Sequence, residues 1–235
     1  MHLEDYSLMK KKNNEMNYKE LTGRENSYLV QTKDLYQIHP EALLELKKLQ
    51  SAAREADIHI EVASAYRNFD KQLAIWNAKA SGKRTLLTRE EKILNFDTAS
   101  NQEILEAIMA WSAIPGASRH HWGTEIDIYD KSVKPRDQLA LTINECNEDF
   151  SKLYVWIDEN LNRFKFHRPY KEDLGGVSVE PWHLSFTPIS LQCEQHYTLD
   201  IFKQNIDESQ LLFKDFVLEK VEEIYERYVI NTSPA

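Results

Sequence analysis

The stretch SRHHWGTEIDIYD, residues 118–130, places two adjacent histidines ahead of a run in which acidic and aliphatic side chains alternate. Alternation with a period of two is typical of a half-buried strand, and it predicts a strand over 124–130. Imidazoles and carboxylates also bind metal ions, so the same residues form half of a candidate metal site. Taken alone, the segment is equally consistent with a polar loop that enters a strand. The choice depends on residues elsewhere in the chain.

The composition indicates a globular protein. The chain has 235 residues, of which 42% are hydrophobic and 11% aromatic, enough for one domain with a sizeable core. Its formal net charge of −9 argues against a nucleic-acid partner, because phosphate backbones bind basic surfaces. The two cysteines, Cys146 and Cys193, are too few for a disulfide scaffold and are expected to stay reduced.

The N-terminal sequence MHLEDYSLMKKKNNEMNYKE contains no hydrophobic signal region, and we interpret Lys10–Asn14 as a solvated lead-in. No stretch approaches the roughly 18 to 20 apolar residues of a membrane-spanning helix. We therefore expect a cytoplasmic protein with no membrane partner. The sequence makes no prediction about oligomeric state.

The hydrophobic pattern predicts an α+β fold in which helices surround a small, mostly antiparallel sheet. The predicted elements are a helix beginning at Pro40, a strand over 59–66, a helix capped by Asn68, a helix over 149–163 and a strand over 179–186. Pro181 within the last strand predicts an edge strand or a bulge, because proline cannot donate a hydrogen bond to a neighbouring strand.

Three further patterns predict helices. Thr88-x-x-Glu91 and Ser100-x-x-Glu103 both match the capping box that begins many helices. Apolar side chains at helical spacing predict an extra amphipathic helix near the C-terminus: Phe213, Val217, Val221, Ile224 and Tyr228.

Two short clusters carry side chains suited to hydrolysis. The first holds His120 and Asp127, and the second is E-P-W-H, which holds Glu180 and His183. Two histidines, one carboxylate ligand and a second carboxylate as base are the minimum for a hydrolytic zinc centre. A twist or bulge at Pro181 would have to turn Glu180 and His183 toward one metal, because an extended chain points them to opposite faces. Each residue alone is more often structural, so spacing leaves the question open.

Three motifs in order carry a family resemblance: SAYRNFDKQ at 64–72, S-x-H-x-x-G-x-x-x-D at 118–127 and E-P-W-H at 180–183. Together they resemble the VanY/VanX-type D-alanyl-D-alanine carboxypeptidases and dipeptidases. These enzymes belong to a zinc-peptidase group with lysostaphin-like enzymes and the hedgehog signalling domain. The resemblance covers about residues 59–187. It implies a zinc peptidase core over 39–187, an N-terminal extension over 1–38 and a helical C-terminal extension over 188–235 that packs on the core.

The resemblance also implies a role for each motif residue. One Zn²⁺ per chain would be bound by His120, Asp127 and His183, and Glu180 would be the general base. The remaining positions would contact the substrate: Arg67, which would also stabilise the oxyanion, together with Ser118, Tyr66 and Gln72. The guanidinium of Arg67 suits both roles because its planar fork can donate two parallel hydrogen bonds.

Several residues are expected to act outside the ligand set. Glu125 departs from the family pattern, which usually has a small residue there, and it would tune the site or narrow the pocket. His121 is expected to support the site or pack in the loop, since only His120 has the family's spacing to Asp127. The remaining side chains are expected to be structural: His39, His59, His167, His196 and Trp182.

The function that the resemblance implies is a zinc metallocarboxypeptidase that removes C-terminal D-alanine from peptidoglycan peptides. Its partner would be a small peptide or muropeptide. Two alternatives stay open: an endopeptidase of the L-Ala-D-Glu type, and a non-catalytic zinc-containing binding module. Glu180 favours catalysis, because a binding module has no need of a base. The resemblance leaves open whether the bond is of the D,D or L,D type.

Overall fold

The computed structural model describes residues 16–235. Lys10–Asn14, interpreted above as a solvated lead-in, lies outside the described residues. Within the described range, no helix combines the length and the apolar character that crossing a membrane would require.

The fold is α+β, as predicted. The helices are α1 Tyr18–Leu21, α2 Pro40–Glu55, α3 Phe69–Ala80, α4 Asn101–Trp111, α5 Ile143–Asn147, α6 Ser151–Asn160, α7 Thr187–His196, α8 Leu199–Glu208, α9 Lys214–Glu219 and α10 Val221–Ile224. The strands are β1 Val30–Gln31, β2 Gln37–Ile38, β3 Ile60–Ser64, β4 Leu86–Leu87, β5 Ile93–Leu94, β6 Glu125–Asp130, β7 Phe166–His167 and β8 His183–Phe186. Short 3-10 turns lie at Arg119–Trp122, Arg136–Gln138 and Leu161–Phe164, and a π-helical turn lies at Tyr225–Val229.

The main sheet has four antiparallel strands in the order β3-β6-β8-β7. Strand β6 lies between β3 and β8, and Asp127 pairs with Ser64 on one side and His183 on the other. The predicted strand over 179–186 is too long, and the predicted edge position is wrong, because β8 lies inside the sheet and begins only at His183. Pro181 precedes it in a turn, where its missing N–H costs no ladder hydrogen bond.

A first hydrophobic core lies between this sheet and helices α2 and α6. Leu46 and Leu49 of α2 pack with Ile126 and Ile128 of β6, and all four are fully buried. Burying an aliphatic side chain of this size contributes roughly 1.5–3 kcal/mol, so the alternation seen in the sequence fixes which face of β6 turns inward. Glu125 and Asp127 consequently lie on the opposite face, where the site is built.

A second core joins helices α3 and α4 to the C-terminal helices. Trp76 and Leu105 are buried against Phe202 of α8 and Val217 of α9. The predicted C-terminal amphipathic helix exists as three pieces, because the chain leaves the helical conformation at Lys220 and closes with a π-helical turn. The division of the chain at residues 38 and 187 stays a prediction.

The two capping-box patterns have opposite outcomes. Ser100 caps α4 as predicted, since its hydroxyl accepts the Glu103 N–H at 3.3 Å and the Glu103 carboxylate accepts the Ser100 N–H at 2.8 Å. The helix predicted from Thr88 and Glu91 is wrong. That segment is the turn between β4 and β5, and the Thr88 N–H donates to the Lys92 carbonyl at 2.7 Å. No apolar run with helical spacing follows the pattern, so the cap has no helix to begin.

The C-terminal helices hold the turn that leads to the paired histidines. Asn205 of α8 donates from Nδ2 to the Pro115 carbonyl at 2.7 Å, and the Tyr197 hydroxyl donates to the Gly116 carbonyl at 2.7 Å. Gly116 has a φ of +85°, and a Cβ there would lie 2.0 Å from Asn205 Oδ1. The turn therefore requires glycine and depends on residues far along the chain.

Candidate metal centre and active site

His120 lies in a 3-10 turn, Arg119–Trp122, that ends at Gly123 in the left-handed conformation. Its ring nitrogen Nδ1 lies 2.8 Å from the Ala65 carbonyl oxygen. A carbonyl can only accept a hydrogen bond, so Nδ1 carries the proton and Nε2 keeps a free lone pair. Nε2 faces Asp127, at 3.4 Å from Oδ2. This is the arrangement of a histidine held ready to bind a metal.

His183 is oriented in the same way by a different acceptor. Its Nε2 lies 2.9 Å from Glu125 Oε2, and its Nδ1 lies 3.1 Å from Asp127 Oδ1. The Glu125 carboxylate only accepts, so the Nε2 proton points to it and Nδ1 is left to face Asp127. Glu125, whose role the sequence left open, therefore sets the tautomer and ring orientation of His183.

The three side chains fit a divalent cation. One nitrogen or oxygen atom from each of His120, Asp127 and His183 lies within 4.8 Å of the other two, and all three residues are buried. With the His183 proton on Nε2, the buried Asp127 Oδ1 has no hydrogen-bond donor among the described residues. An oxygen lone pair that faces an imidazole nitrogen lone pair at 3.1 Å requires a positive charge between them. Two histidines and one carboxylate are the donor set of a hydrolytic zinc site with an open position.

The electrostatics support the same interpretation. Burial acts to lower the pKa of His183, but the neighbouring carboxylates of Asp127 and Glu125 outweigh it and raise that pKa to about 10. These carboxylates thus strongly favour a positive charge at this position, which a proton or a metal ion can supply.

Glu180 is brought to the ligands by a tight turn. The His183 N–H donates to the Glu180 carbonyl at 3.2 Å, so Pro181 and Trp182 reverse the chain. This turn, and not the bulge predicted from the sequence, puts Glu180 Oε2 at 3.4 Å from His183 Nδ1. Burial raises the pKa of the Glu180 carboxyl to about 7 against the opposing effect of His183. A carboxyl with a pKa near neutrality suits a general base.

Arg67 is fixed at the cavity wall by three contacts. Its N–H donates to the His120 carbonyl at 3.1 Å, its Nη1 donates to Gln72 Oε1 at 2.7 Å, and its Nη2 donates to Ser64 Oγ at 3.3 Å. Gln72 in turn donates to the Ala113 carbonyl at 2.6 Å. Gln72 therefore orients the guanidinium and does not line the cavity itself.

His121 faces away from the ligands. Its Nδ1 lies 2.5 Å from the Arg67 carbonyl and its Nε2 accepts the Gly116 N–H at 3.0 Å. The ring is fully buried, and burial lowers its pKa to about 3. A neutral imidazole that donates on one side and accepts on the other thus joins the Arg67 backbone to the Gly116 turn. The two adjacent histidines therefore have different roles, since His120 faces the metal position and His121 supports Arg67.

The structure contains a buried network of charged side chains behind His183 that the sequence did not predict. Glu125 accepts hydrogen bonds from the Ser185 hydroxyl at 2.8 Å and the Thr124 hydroxyl at 3.0 Å, and it lies 3.4 Å from Arg119 Nη2. Arg119 also contacts Glu194 of α7. Nothing in the local spacing signals this network, because its members come together only through the fold.

A cavity of about 250 Å³ opens over the candidate ligands. Arg67 and Ser118, which the resemblance assigns to the substrate, line it together with Glu180, the expected base. Tyr66 does not line it, and its hydroxyl donates instead to the Gly23 carbonyl at 3.2 Å. The wall also includes residues that the sequence did not assign to the site, among them Leu87, Glu91, Trp111, Ser112, Tyr170 and Val177. Trp182, expected in the core, packs there and also reaches the cavity.

Comparisons with known sequences give a family match and several relatives. A family model described as VanY, D-alanyl-D-alanine carboxypeptidase, matches residues 35–189. A D-alanyl-D-alanine carboxypeptidase of Enterococcus faecalis is 34% identical over 147 residues, which cover 61% of this chain and 46% of that enzyme. An uncharacterised protein of Haemophilus influenzae is 34% identical over 122 residues, which cover 50% of this chain and 93% of that protein.

Solved structures share the fold. VanYB in complex with D-alanine-D-alanine matches with a TM-score of 0.52 and 27% identity, over 73% of this chain and 83% of that one. The LdcB LD-carboxypeptidase matches with a TM-score of 0.50 and 22% identity, over 81% of this chain and 82% of that one. The family match over residues 35–189 contains all three motifs, and the chain therefore belongs to the VanY D-alanyl-D-alanine carboxypeptidase family.

Proposed function

We propose that this chain is a zinc-dependent carboxypeptidase that removes C-terminal D-alanine from peptidoglycan peptides, with one Zn²⁺ bound by His120, Asp127 and His183. The observation that carries the proposal is the position of Glu180. Its carboxylate lies 3.4 Å from His183 Nδ1 and lines the same cavity as Arg67. A metal-binding module without hydrolytic activity would have no need of a buried carboxyl with a pKa near 7 at this place.

The bound zinc would act as a Lewis acid and lower the pKa of a water molecule to about 7. Glu180 would take the proton from the attacking water and later return it to the leaving amine. Arg67 would donate hydrogen bonds to the carbonyl oxygen as negative charge develops there. Gln72 and His121 hold Arg67 in place, so the donors need little rearrangement when the charge appears. Ser118 would donate to the bound peptide from the same cavity.

The size and charge of the cavity favour a carboxypeptidase over an endopeptidase. A volume of about 250 Å³ suits one or two small residues, and a chain cut in its middle would need an open groove. A substrate with a terminal carboxylate would also gain charge-assisted hydrogen bonds from a cationic side chain at the cavity. VanYB in complex with D-alanine-D-alanine supports a short peptide as the ligand.

The test compares hydrolysis of a peptide that ends in D-alanyl-D-alanine by the zinc-loaded wild type and by Glu180→Gln. We expect the variant to keep zinc and fold but to lose at least about 100-fold in kcat, the scale of a general base. Glu159→Gln, an exposed carboxylate on α6, is the matched control and should leave the rate unchanged. Normal turnover by Glu180→Gln would refute the assignment of the base. Failure of the wild type to release D-alanine would refute the proposed function.

A further inference from the structure

Lys79 is a half-buried cation without an ion-pair partner among the described residues. It lies in the last turn of α3, and its Nζ donates to Ser112 Oγ at 2.7 Å. Within residues 16–235, no carboxylate forms an ion pair with it. Lys134 shows the contrasting arrangement, since its Nζ lies 2.7 Å from the carboxylates of both Glu145 and Asp149. Withdrawing an ammonium group from water is costly, and Glu180 acts on Lys79 without forming an ion pair, so an anion in direct contact with Lys79 would be stabilised there.

Lys79 does not itself line the cavity, but it lies beside residues that do. The charged groups that act on it are Glu180, Arg67 and Arg84, and its hydrogen-bond partner Ser112 lines the cavity with the first two. Burial lowers the pKa of Lys79 to about 8, so the side chain is still mostly protonated at neutral pH.

The hydrogen bond between Lys79 and Ser112 has a fixed direction. An ammonium group has donors only, so Ser112 Oγ accepts and its own hydroxyl proton stays available. Among the described residues, no acceptor takes that proton. Ser112 therefore presents to the cavity a hydroxyl donor backed by a positive charge, which is the arrangement that binds a carboxylate.

We propose that Lys79 and Ser112 form an anion subsite that receives the C-terminal carboxylate of the peptide substrate. This inference rests on the proposed carboxypeptidase function and assigns its end anchor. The two cations then have separate roles, because Arg67 serves the oxygen of the scissile carbonyl, whereas Lys79 with Ser112 serves the terminal carboxylate. Lys79 lies on α3, and Ser112 directly follows α4. Both helices pack in the second core, which would thus position the two residues that select peptides with a free C-terminus.

The test measures each protein variant on two substrates that differ only at the C-terminus. Wild type, Lys79→Met and Ser112→Ala are compared on a peptide that ends in D-alanine and on the same peptide with a C-terminal amide. We expect Lys79→Met to lose about 10- to 100-fold in kcat/KM on the free acid, mainly through KM, and almost nothing on the amide. Ser112→Ala should lose less in the same pattern. Lys71→Met, an exposed lysine of the same helix, is the matched control.

Three outcomes would overturn the inference. Equal losses on both substrates, with a lower kcat and a shifted pH profile, would mean that Lys79 acts on Glu180. An unchanged kcat/KM in Lys79→Met would mean that the anchor lies elsewhere. Failure of Lys79→Arg, which keeps the charge, to recover any binding of the free acid would argue against an anion site.

Binding of D-alanyl-D-alanine, measured by calorimetry, separates this inference from the proposed function. A Kd that Lys79→Met does not weaken would overturn the subsite whether or not the wild type hydrolyses peptides. Weaker binding in Lys79→Met, together with a wild type that cuts free acid and amide equally, would keep the subsite and refute the carboxypeptidase.

Discussion

Replacing Glu125 by glutamine tests the buried support of the metal site with almost no change in shape. Glu125 is fully buried, and although burial opposes it, Arg119 and His183 hold the pKa of its carboxyl well below the usual range. Both carboxylate oxygens accept hydrogen bonds: Oε2 from His183 and Oε1 from Ser185. A glutamine amide offers one acceptor and one donor group, so in either orientation one of these partners would face a donor.

The size of the expected effect depends on which contact of Glu125 is lost in the variant. If the contact to His183 is lost, the ring is free to change tautomer and rotate, and losing such support typically costs 10- to 100-fold in metal affinity, or about 1.4–2.8 kcal/mol. Separately, Arg119 loses one of the two carboxylates that it contacts among the described residues and keeps Glu194, so the loss of folding free energy should stay below the about 3–5 kcal/mol of a fully broken buried ion pair. Glu125→Gln should therefore weaken zinc binding and destabilise the metal-free protein.

Zinc affinity is measured by competition with a chromophoric chelator after the metal has been removed, and the free energy of unfolding is measured by urea denaturation of the same metal-free samples. Glu194→Gln is the matched control, because it removes the outer counter-charge of Arg119 and leaves the contact between Glu125 and His183 intact. It should lower stability and leave zinc affinity nearly unchanged. A zinc affinity of Glu125→Gln within about twofold of the wild type would refute the role given to Glu125.

Neighbouring contacts lead to three more predictions. Arg67→Lys should keep zinc but lower peptide hydrolysis by at least about 10-fold, because an ammonium cannot contact Gln72 and a substrate oxygen as the guanidinium fork does; steady-state kinetics with metal analysis checks this. The folded-state pKa of His121, lowered to about 3 from 6.5, makes the unfolded chain bind the extra proton. His121 should thus contribute a fall of about 3 kcal/mol in the free energy of unfolding between pH 6.5 and about pH 4, measured by urea denaturation at each pH as the difference between the wild type and His121→Asn. Gly123→Ala should cost about 1–2 kcal/mol in the same assay, because its φ is +67°; no loss would show that the turn relaxes.

Local pattern predicted the parts of the fold that local physics decides. The strand over 124–130 and the helix at Pro40 were correct to within a residue, because side-chain alternation and proline at the first helical position act over short distances. The pattern at Thr88 failed because a capping box needs an amphipathic helix after it. The edge strand predicted from Pro181 was wrong for a related reason. Proline is disfavoured within a central strand, but this rule does not say where such a strand begins.

The candidate site likewise contains residues that the local sequence predicts and residues that only the tertiary structure brings together. The motifs put His120, Asp127 and His183 in one family pattern, and the sheet register then brings the last two side by side. No spacing rule connects Arg119 with Glu194, or Lys79 with Ser112, since each pair meets only when separate helices pack. Such partners depend on tertiary structure and cannot be found from a single sequence.

The contacts of Asn205 and Tyr197 with the turn at Pro115–Gly116 bear on how far this protein can be shortened. The region that defines the family ends at residue 189, yet the turn that positions the paired histidines is held from residues beyond it. A protein cut at that boundary would keep every motif residue and lose the supports that orient them. We therefore expect a transplant of this candidate site into another protein to need helices α7 and α8 as well.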